Sequence, residues 1–340
     1  MESPEPDPDD GVRAVRSQER IDGFRAADHH QQRDGRDAVG SPPSGDGPVI
    51  VRTDAGRVMV QAPAKLNLFL EVLGRRADGY HDIESLMVTV DLCDTLTFEP
   101  GPSGRIEFTC DDASLPTGSE NLVVRAAESL RASFGPDRGA RIHLRKVIPA
   151  KAGLAGGSSD AAATLEGLNR LWGLDVPPDR LDALAAAIGS DVSFFRHGPL
   201  AWCRGRGERV EPLALPGALH FVLVCPPVGV ATAAVYRRVV PPDRPRSTEG
   251  ISRALHAGDA ARLGQEFFNR LQPVAESLEP SLGAVRDALT NLGPSLDGHL
   301  MSGSGSSYFG LARDRAAAED AARRLGLLGL GRVQVVTCGP

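Results

Sequence analysis

The sequence predicts a globular protein of the α+β class with one large domain or two, and three observations support this prediction. Strand-like and helical patterns are both frequent, but they do not alternate regularly as they would in a doubly wound parallel sheet. The chain has 340 residues, enough for two domains or one large one. Its composition, 41% hydrophobic and 24% charged, is typical of a soluble globular protein. We therefore expect sheets and helices that pack around at least one sizeable core.

The first 50 residues differ from the rest. They contain 11 acidic residues and 6 arginines, a net charge of −5, whereas the whole chain carries −6. Aliphatic clusters are almost absent, so buried surface would not offset the entropy lost on ordering. We predict a disordered acidic tail over residues 1–50. The remaining chain is nearly neutral, which excludes the basic surface of a nucleic-acid binder.

The folded pattern begins with strands over residues 49–74, VIVRTDAGRVMVQAPAKLNLFLEVLG, and a loop and further strands follow to residue 100. Alternation within the first segment predicts two faces. One face would carry Leu66, Leu68, Leu70 and Val72. The other would carry Lys65, Asn67, Phe69 and Glu71.

The remaining elements follow from periodicity and from helix start and stop residues. Helices are predicted over residues 120–135, 177–189, 263–278, 281–292 and 314–326. Strands are predicted over residues 105–111, 140–149, 200–213, 220–227, 298–301, 307–312 and 332–337. The pattern breaks at PLALPG, residues 212–217, which we take as the boundary between two halves.

One stretch, IPAKAGLAGGSSDAAATLEGLNRLWGL, joins a glycine-rich loop to a helix over residues 148–174. Glycines allow close approach of the backbone to a ligand, and Ser158 or Ser159 can cap the helix. Free amides at a helix start attract anions such as phosphate, although an ordinary capped turn is the alternative. The Walker pattern GxxxxGK[ST] is absent, and no GxGxxG motif has the required context. A phosphate site here would need another architecture.

Three further positions have a functional and an ordinary interpretation. Asp191 precedes the apolar run VSFF, where a carboxylate can act as a base or cap a short helix. Lys65 is a candidate for charge stabilisation or an edge charge of a strand. Tyr80 and His81 follow the turn RADG and are either ligand contacts or exposed loop residues.

Four blocks in a fixed order make the interpretation more specific. They are PAKLNLFLEVLGRRADGYHDIESL (63–86), IPAKAGLAGGSSDAA (148–162), GSDVSFF (189–195) and SGSGSSYFG (302–310). Together they resemble the GHMP kinases, the group of galacto-, homoserine, mevalonate and phosphomevalonate kinases, over residues 57–340. The resemblance implies an N-terminal domain similar to the second domain of elongation factor G and a ferredoxin-like C-terminal domain. It divides the chain into the tail (1–50), an N-terminal domain with the phosphate-binding loop (51–215) and a C-terminal domain (216–340).

The resemblance also implies a site in the cleft between the domains, where ATP and substrate meet. Asp191 stands where these kinases carry their catalytic base, and Lys65 matches the lysine that faces the reacting hydroxyl. Asn67, two residues further on the same strand face, would bind the same region of substrate. The pattern of SGSGSS, residues 302–307, alone predicts the turn of a hairpin. In the family this turn closes the site.

The phosphate-binding loop implied by the resemblance consists of Pro149, Ala150, Lys151, Ala152, Gly153, Leu154, Ala155, Gly156, Gly157, Ser158 and Ser159. It departs from the family pattern, in which glycine or another small or apolar residue is common, at Ala150, Lys151, Ala152 and Ala155. Lys151 would contact phosphate or, as we favour, point to solvent. ATP is the expected phosphate donor and Mg²⁺ should accompany it. The sequence shows no acidic metal cage, although Ser158 or Ser159 could contact the ion or a phosphate.

The first of the four blocks has a narrower resemblance. It is similar to the GHMP kinases that phosphorylate the 2-hydroxyl of a branched sugar alcohol carried on cytidine diphosphate, in the non-mevalonate isoprenoid pathway. Tyr80 and His81 would hold the cytosine, with Tyr236 on its other face. One rival is a GHMP kinase for a smaller alcohol, against which GYH argues. The other is a non-catalytic nucleotide-binding regulator, against which Lys65 and Asp191 argue.

Composition limits the compartment and the partners. The five cysteines lie far apart without a CxxC pair, which disfavours zinc and disulfides and favours the cytoplasm. No apolar run approaches the roughly 18–20 residues of a membrane span, and the N-terminus lacks a signal core. We expect ATP and a small cytidyl substrate as partners, with no nucleic acid and no membrane. A monomer and a homodimer both remain open.

Overall fold

A computed structural model describes residues 51–54 and 56–339 of the protein. The predicted disordered tail, residues 1–50, lies outside the described residues. The strands are β1 (Val51–Asp54), β2 (Arg57–Arg75), β3 (His81–Pro100), β4 (Ile106–Cys110), β5 (Ala140–Arg145), β6 (Leu200–Gly205), β7 (Arg209–Pro212), β8 (Leu219–Cys225), β9 (Phe268–Asn269), β10 (Gly298–Met301), β11 (Tyr308–Ala312) and β12 (Arg332–Cys338). The helices are α1 (Leu122–Phe134), α2 (Gly156–Trp172), α3 (Pro178–Ile188), α4 (Ser190–His197), α5 (Thr232–Arg238), α6 (Glu249–His256), α7 (Ala260–Gln265), α8 (Gln272–Leu278), α9 (Leu282–Thr290) and α10 (Arg315–Gly326).

Strands β1 to β7 and β9 form one mixed sheet. Its main order is β1-β2-β3-β5-β4, while β6 pairs with both β3 and β7. The long strand β3 pairs along one half with β6 and along the other with β5, so it connects the two wings of the sheet. Helix α2 packs on β2 and β3, and α1, α3 and α4 surround it. The core between them includes Phe98, Leu168 and Phe194.

The remaining strands form an antiparallel sheet in the order β10-β11-β8-β12. Helices intervene between β8 and β10, β10 and β11 form a hairpin, and α10 leads to β12. This β-α-β-β-α-β arrangement is the ferredoxin-like fold. The α+β prediction and the ferredoxin-like C-terminal half are therefore confirmed. The predicted boundary at residues 212–217 falls in the connection from β7 to β8.

Most predicted elements are present within a few residues of their expected ends, but the helix predicted over 263–278 is wrong. The chain forms α7, the two-residue strand β9 and α8 instead. Asn269 explains the break. Its backbone pairs with Leu70 of β2, and its side chain donates to the carbonyls of Met301 at 2.8 Å and Gly303 at 2.7 Å. A continuous helix would lose all of these contacts.

The two-face prediction for β2 also needs correction, because both faces are buried. Lys65, Asn67 and Glu71 are as inaccessible as the leucines beside them. A register shift between Asn67 and Phe69 interrupts the simple alternation. Phe69 consequently packs in the same apolar cluster as Leu66, not on a face shared with Lys65.

Within residues 51–54 and 56–339, every helix is too short or too polar to cross a bilayer.

Candidate active site

Residues from both halves of the described chain line one cavity of about 1330 Å³. Its walls come from β2 and β3, the loop before α2, the start of α4, helix α5 and the turn between β10 and β11. Most of the positions that the sequence predicted to be functional are therefore brought together around a single cavity.

Lys65 and Asn67 form a bonded pair on β2. The Lys65 ammonium donates to the side-chain oxygen of Asn67 and to the Gly153 carbonyl, the latter at 2.9 Å. Asn67 donates to the Ser85 hydroxyl at 2.8 Å, and that hydroxyl donates to the Phe69 carbonyl at 2.7 Å. This chain of hydrogen bonds fixes both side chains without a ligand.

Asp191 lies in the first turn of α4, whose cap position is held by Gly189. The carboxylate is therefore not the helix cap that the sequence left as an alternative. Burial lowers the pKa of Lys65, and the nearby charge of Asp191 opposes that shift. Burial and the same carboxylate raise the pKa of Tyr236. Asp191 thus acts electrostatically on Lys65 and on Tyr236.

The glycine-rich loop begins α2 differently from the sequence prediction. Ala155, in the left-handed region at φ 53°, holds the cap position, and no side chain caps the helix. The prediction that Ser158 or Ser159 caps it is wrong, because both lie inside the first turns and donate their amides to the Ala155 carbonyl at 3.0 Å. Because no side chain caps the helix, the amides of Gly156 and Gly157 at its start are left for an anion.

The loop lies directly against the SGSGSS turn. Gly153 has φ 76°, and a Cβ there would meet the Ser302 carbonyl oxygen at 2.1 Å. The Ser302 hydroxyl donates to the Gly153 carbonyl at 2.9 Å, and the Ser307 amide donates to the Ala152 carbonyl at 3.0 Å. The turn predicted to close the site thus packs on the loop predicted to bind phosphate.

Most of the predicted loop faces the cavity. The members that line it are Pro149, Ala150, Lys151, Ala152, Gly153, Ala155, Gly156, Gly157 and Ser158. Leu154 and Ser159 are buried behind it, where the Leu154 carbonyl accepts the Lys65 amide at 3.1 Å. Lys151 is exposed at the cavity edge, as favoured from the sequence.

A buried charge cluster beside the loop was missed by the sequence analysis. Lys146 forms an ion pair with Asp94 and another with Asp160, the latter at 3.3 Å. Burial raises the pKa of Asp160 well above its ordinary value, against the attraction of Lys146. One oxygen of Asp160 has no hydrogen-bond partner among the described residues, and Asp160 lines the cavity. The position of Asp160 inside the glycine-rich stretch was the signal in the sequence that could have indicated this cluster.

Aromatic side chains line another part of the cavity. His81 and Tyr236 pack with ring centroids 5.3 Å apart and planes tilted by 38°. Burial and the charge of Arg75 lower the pKa of His81. Tyr80 is 54% exposed, and the guanidinium of Arg206 lies 5.0 Å over its ring. A flat heterocycle can therefore meet aromatic faces here.

Comparison with protein families agrees with this geometry. Residues 121–199 match the GHMP kinases N terminal domain, and residues 251–328 match the GHMP kinases C terminal domain. The fold and the site define a small-molecule kinase of the GHMP class, for which ATP is a substrate.

Individual relatives are more specific. The 4-diphosphocytidyl-2-C-methyl-D-erythritol kinase of Pelotomaculum thermopropionicum is 45% identical over 77% of this chain and 92% of its own length. That of Bacillus cytotoxicus is 41% identical over 75% and 88%. A crystal structure of 4-(cytidine 5'-diphospho)-2C-methyl-D-erythritol kinase matches with a TM-score of 0.70 and 42% identity, covering 83% of this chain and 99% of its own. The chain belongs to the family of 4-diphosphocytidyl-2-C-methyl-D-erythritol kinases.

Proposed function

We propose that the protein transfers the γ-phosphoryl group of ATP to the 2-hydroxyl of 4-diphosphocytidyl-2-C-methyl-D-erythritol, in the non-mevalonate route to isoprenoid precursors. One observation carries the proposal. One cavity is lined by the aromatic pair His81 and Tyr236, by the charged side chains of Lys65 and Asp191 and by the glycine loop. Within it the Lys65 ammonium donates to the Gly153 carbonyl of the loop at 2.9 Å.

Asp191 is the proposed general base. The substrate hydroxyl oxygen bonds to the γ-phosphorus as the bond from that phosphorus to ADP breaks, and Asp191 accepts the hydroxyl proton. Its place in the first turn of α4 supports this role, since the helix dipole stabilises a carboxylate there.

Lys65 is the proposed stabiliser of the charge that develops on the reacting oxygens. Its ammonium is fixed by Asn67 and Gly153 before substrate binds, so no reorganisation is needed in the transition state. Asn67 shares this network and would orient the hydroxyl. The loop from Pro149 to Ser159 would hold the ATP phosphates through its backbone amides and the α2 dipole.

Mg²⁺ should accompany ATP, and the residues beside the loop fit it. Asp160 offers a buried carboxylate oxygen without a partner, and Ser158 offers a hydroxyl on the cavity wall. Mg²⁺ prefers such oxygen ligands and is usually held by one or two carboxylates plus substrate phosphates. Among the described residues no group of three acidic, His or Cys side chains converges. When bound, the ion would neutralise charge on the phosphate oxygens.

His81, Tyr236 and Tyr80 are the proposed cytosine site. Stacking on an aromatic face contributes about 1–3 kcal/mol per base. The pKa of His81 is lowered, which favours its neutral ring, and a neutral ring can pair with the polar edge of the base. We place the enzyme in the cytoplasm, because all five cysteines are free thiols.

The test is ATP consumption with 4-diphosphocytidyl-2-C-methyl-D-erythritol, mevalonate and homoserine side by side. We expect turnover of the cytidyl alcohol alone. Equal or better use of mevalonate or homoserine would contradict the proposed substrate. A protein that binds ATP but phosphorylates none of the three would contradict the proposed reaction.

A further inference from the structure

The proposed substrate must extend from the aromatic base site to Lys65 and Asp191. Between its cytidine and its reacting alcohol lies a diphosphate, which carries about two negative charges at neutral pH. Some part of the cavity wall between Tyr80 and Asp191 therefore faces these charges. This inference rests on the proposed function, which sets the two ends between which the substrate lies.

The turn between β6 and β7 spans this interval. At one side, a Cβ on Gly207 would lie 3.8 Å from a carboxylate oxygen of Asp191 and 3.4 Å from Ser190. At the other side, Arg206 places its guanidinium 5.0 Å over the ring of Tyr80. Adjacent residues of one turn thus reach the base site and the catalytic carboxylate.

The glycines on both sides of Arg206 hold the turn in place. Gly205 has φ 72° and Gly207 has φ 114°, conformations that L side chains rarely adopt. The Arg206 amide donates to a Glu208 carboxylate oxygen at 2.7 Å. The backbone position of Arg206 is therefore fixed before a ligand arrives.

The guanidinium itself is only loosely paired. Its distance to Glu208 is 4.0 Å, and about 30% of the side chain is exposed. Asp78 also lies within electrostatic reach of it. Because Glu208 already accepts the Arg206 amide, the guanidinium can turn its N–H groups toward an anion in the cavity.

The other described cations that line the cavity are placed for different contacts. Lys65 is bonded to Asn67 and Gly153, and Lys146 is paired with two buried carboxylates. Lys151 belongs to the phosphate loop. Arg75 and Arg237 line the cavity beside His81 and Tyr236, at the proposed base site.

We propose that Arg206 binds the diphosphate of the cytidyl substrate while its guanidinium plane packs on Tyr80, which makes Arg206 a determinant of specificity for a nucleoside-diphosphate-linked alcohol. A guanidinium suits this double role, because its planar fork pairs with phosphate oxygens and stacks on an aromatic ring.

The test is a ligand series measured by calorimetry on the full chain, with the ATP site filled by a non-hydrolysable ATP analogue. Cytidine, CMP and CDP report separately on the base and on each phosphate. The variants are Arg206→Met, which keeps an apolar contact with the Tyr80 ring, and Arg206→Lys, which keeps the charge. Arg209→Met is the matched control, since Arg209 is an exposed arginine of the same hairpin outside the cavity.

In the wild type we expect CDP to bind more tightly than cytidine. Arg206→Met should weaken CDP binding about 10- to 100-fold, the effect of losing one or two charge-assisted hydrogen bonds, and cytidine binding by at most about threefold. Arg206→Lys should recover part of the CDP affinity, and Arg209→Met should resemble the wild type. In turnover assays, Arg206→Met should raise KM for the cytidyl alcohol more than it lowers kcat, with KM for ATP unchanged.

Two results would overturn the role of Arg206: equal losses for cytidine and CDP, which would mean that it acts through Tyr80 alone, or an unchanged CDP affinity. Failure of the proposed reaction has a different signature. A wild type that binds CDP through Arg206 yet transfers no phosphate to the cytidyl alcohol would contradict the reaction and support the site.

Discussion

Lys65 shows at the scale of one residue how burial and hydrogen bonding act on an ammonium group. Removing an ammonium from water disfavours its charged form, and its pKa is lowered accordingly. Two of its three N–H donors are used within the described residues, by Asn67 and Gly153. Asp191 supplies the opposing charge. The third donor can therefore be directed at a substrate oxygen without loss of the existing network.

Asp191→Asn tests the proposed base. We expect kcat to fall roughly 10²- to 10⁴-fold, the usual contribution of a general base, because an amide cannot accept the hydroxyl proton. Affinity for ATP, measured by calorimetry, should change little. Asp179→Asn is the matched control, since Asp179 occupies the first turn of the neighbouring helix α3 and is exposed. Near-normal turnover by folded Asp191→Asn protein would show that another group takes the proton.

Tyr80→Ala and His81→Ala test the proposed base site. Each variant should lower kcat/KM for the cytidyl substrate, by a loss of transition-state stabilisation of about 1–3 kcal/mol. Tyr80→Ala removes a stacking face, and His81→Ala leaves a polar edge of the base unpaired. KM for ATP should stay near its original value. His143→Ala, a change at an exposed histidine on β5, is the control. Methylerythritol phosphate should be a poor substrate of the wild type, and its equal use would mean that there is no base pocket.

Where a motif surrounds a residue, sequence reasoning predicted positions that the structure brings together. Lys65, Asp191 and the glycine loop lie in short recognisable blocks, and the structure places them around one cavity. The pairing of Lys146 with Asp94 could not be predicted in that way. The two residues are 52 positions apart, Asp94 on β3 and Lys146 just after β5, and nothing local at either position indicates that their charges meet.

Among the elements, the glycine loop and the SGSGSS turn depend on each other. Gly153 of the loop and Ser302 of the turn are 149 positions apart, yet their backbones touch so closely that no Cβ fits at Gly153. The sequence indicated two flexible turns but not their contact. It also predicted one helix where β9 interrupts, because local propensity does not register that Asn269 is held by distant carbonyls.

Gly153→Ala tests this contact. We expect a loss of at least about 1–2 kcal/mol in the free energy of unfolding, since alanine disfavours a left-handed backbone and its Cβ would displace the turn. Activity should fall as well, because the Gly153 carbonyl positions Lys65. Gly157→Ala is the control in the same loop, with its nearest neighbour at 3.8 Å and no positive φ. It should change stability by at most about 1 kcal/mol. Equal melting temperatures for both variants, measured by calorimetry, would contradict the argument.

For the whole molecule, the α+β class followed from the strand and helix patterns, and the ferredoxin-like half followed from the family resemblance. What the sequence could not provide is how the two halves are joined. Glu71 of β2 is fully buried and accepts two hydrogen bonds from Arg270, at 2.8 and 2.7 Å, and the Arg246 amide at 2.8 Å. Both arginines come from the second half of the chain, so a carboxylate of the first half organises a segment of the second.

Glu71→Gln tests this connection. Burial raises the pKa of Glu71, but the bonds from Arg270, Arg246 and Val72 outweigh it, so the pKa lies below its ordinary value of 4.5. A carboxylate whose pKa is lower in the folded than in the unfolded state stabilises the fold at pH values above its unfolded-state pKa. That stabilisation is lost as pH falls through its folded-state pKa. We expect Glu71→Gln to destabilise the protein by roughly 3 kcal/mol at pH 7, the lower end for a broken buried pair, since Arg270 is partly exposed.

The difference in the free energy of unfolding between wild type and Glu71→Gln, measured by urea unfolding, should remain constant from pH 7 to about pH 5 and shrink below pH 4.5. Glu99→Gln is the control, because Glu99 makes only loose ion pairs, at 4.0 Å with Arg57 and 3.9 Å with Arg141, all on the surface. Its effect should stay within about 1 kcal/mol. A difference for Glu71→Gln that persists unchanged at pH 3 would mean that the packing of the side chain, rather than its charge, joins the two halves.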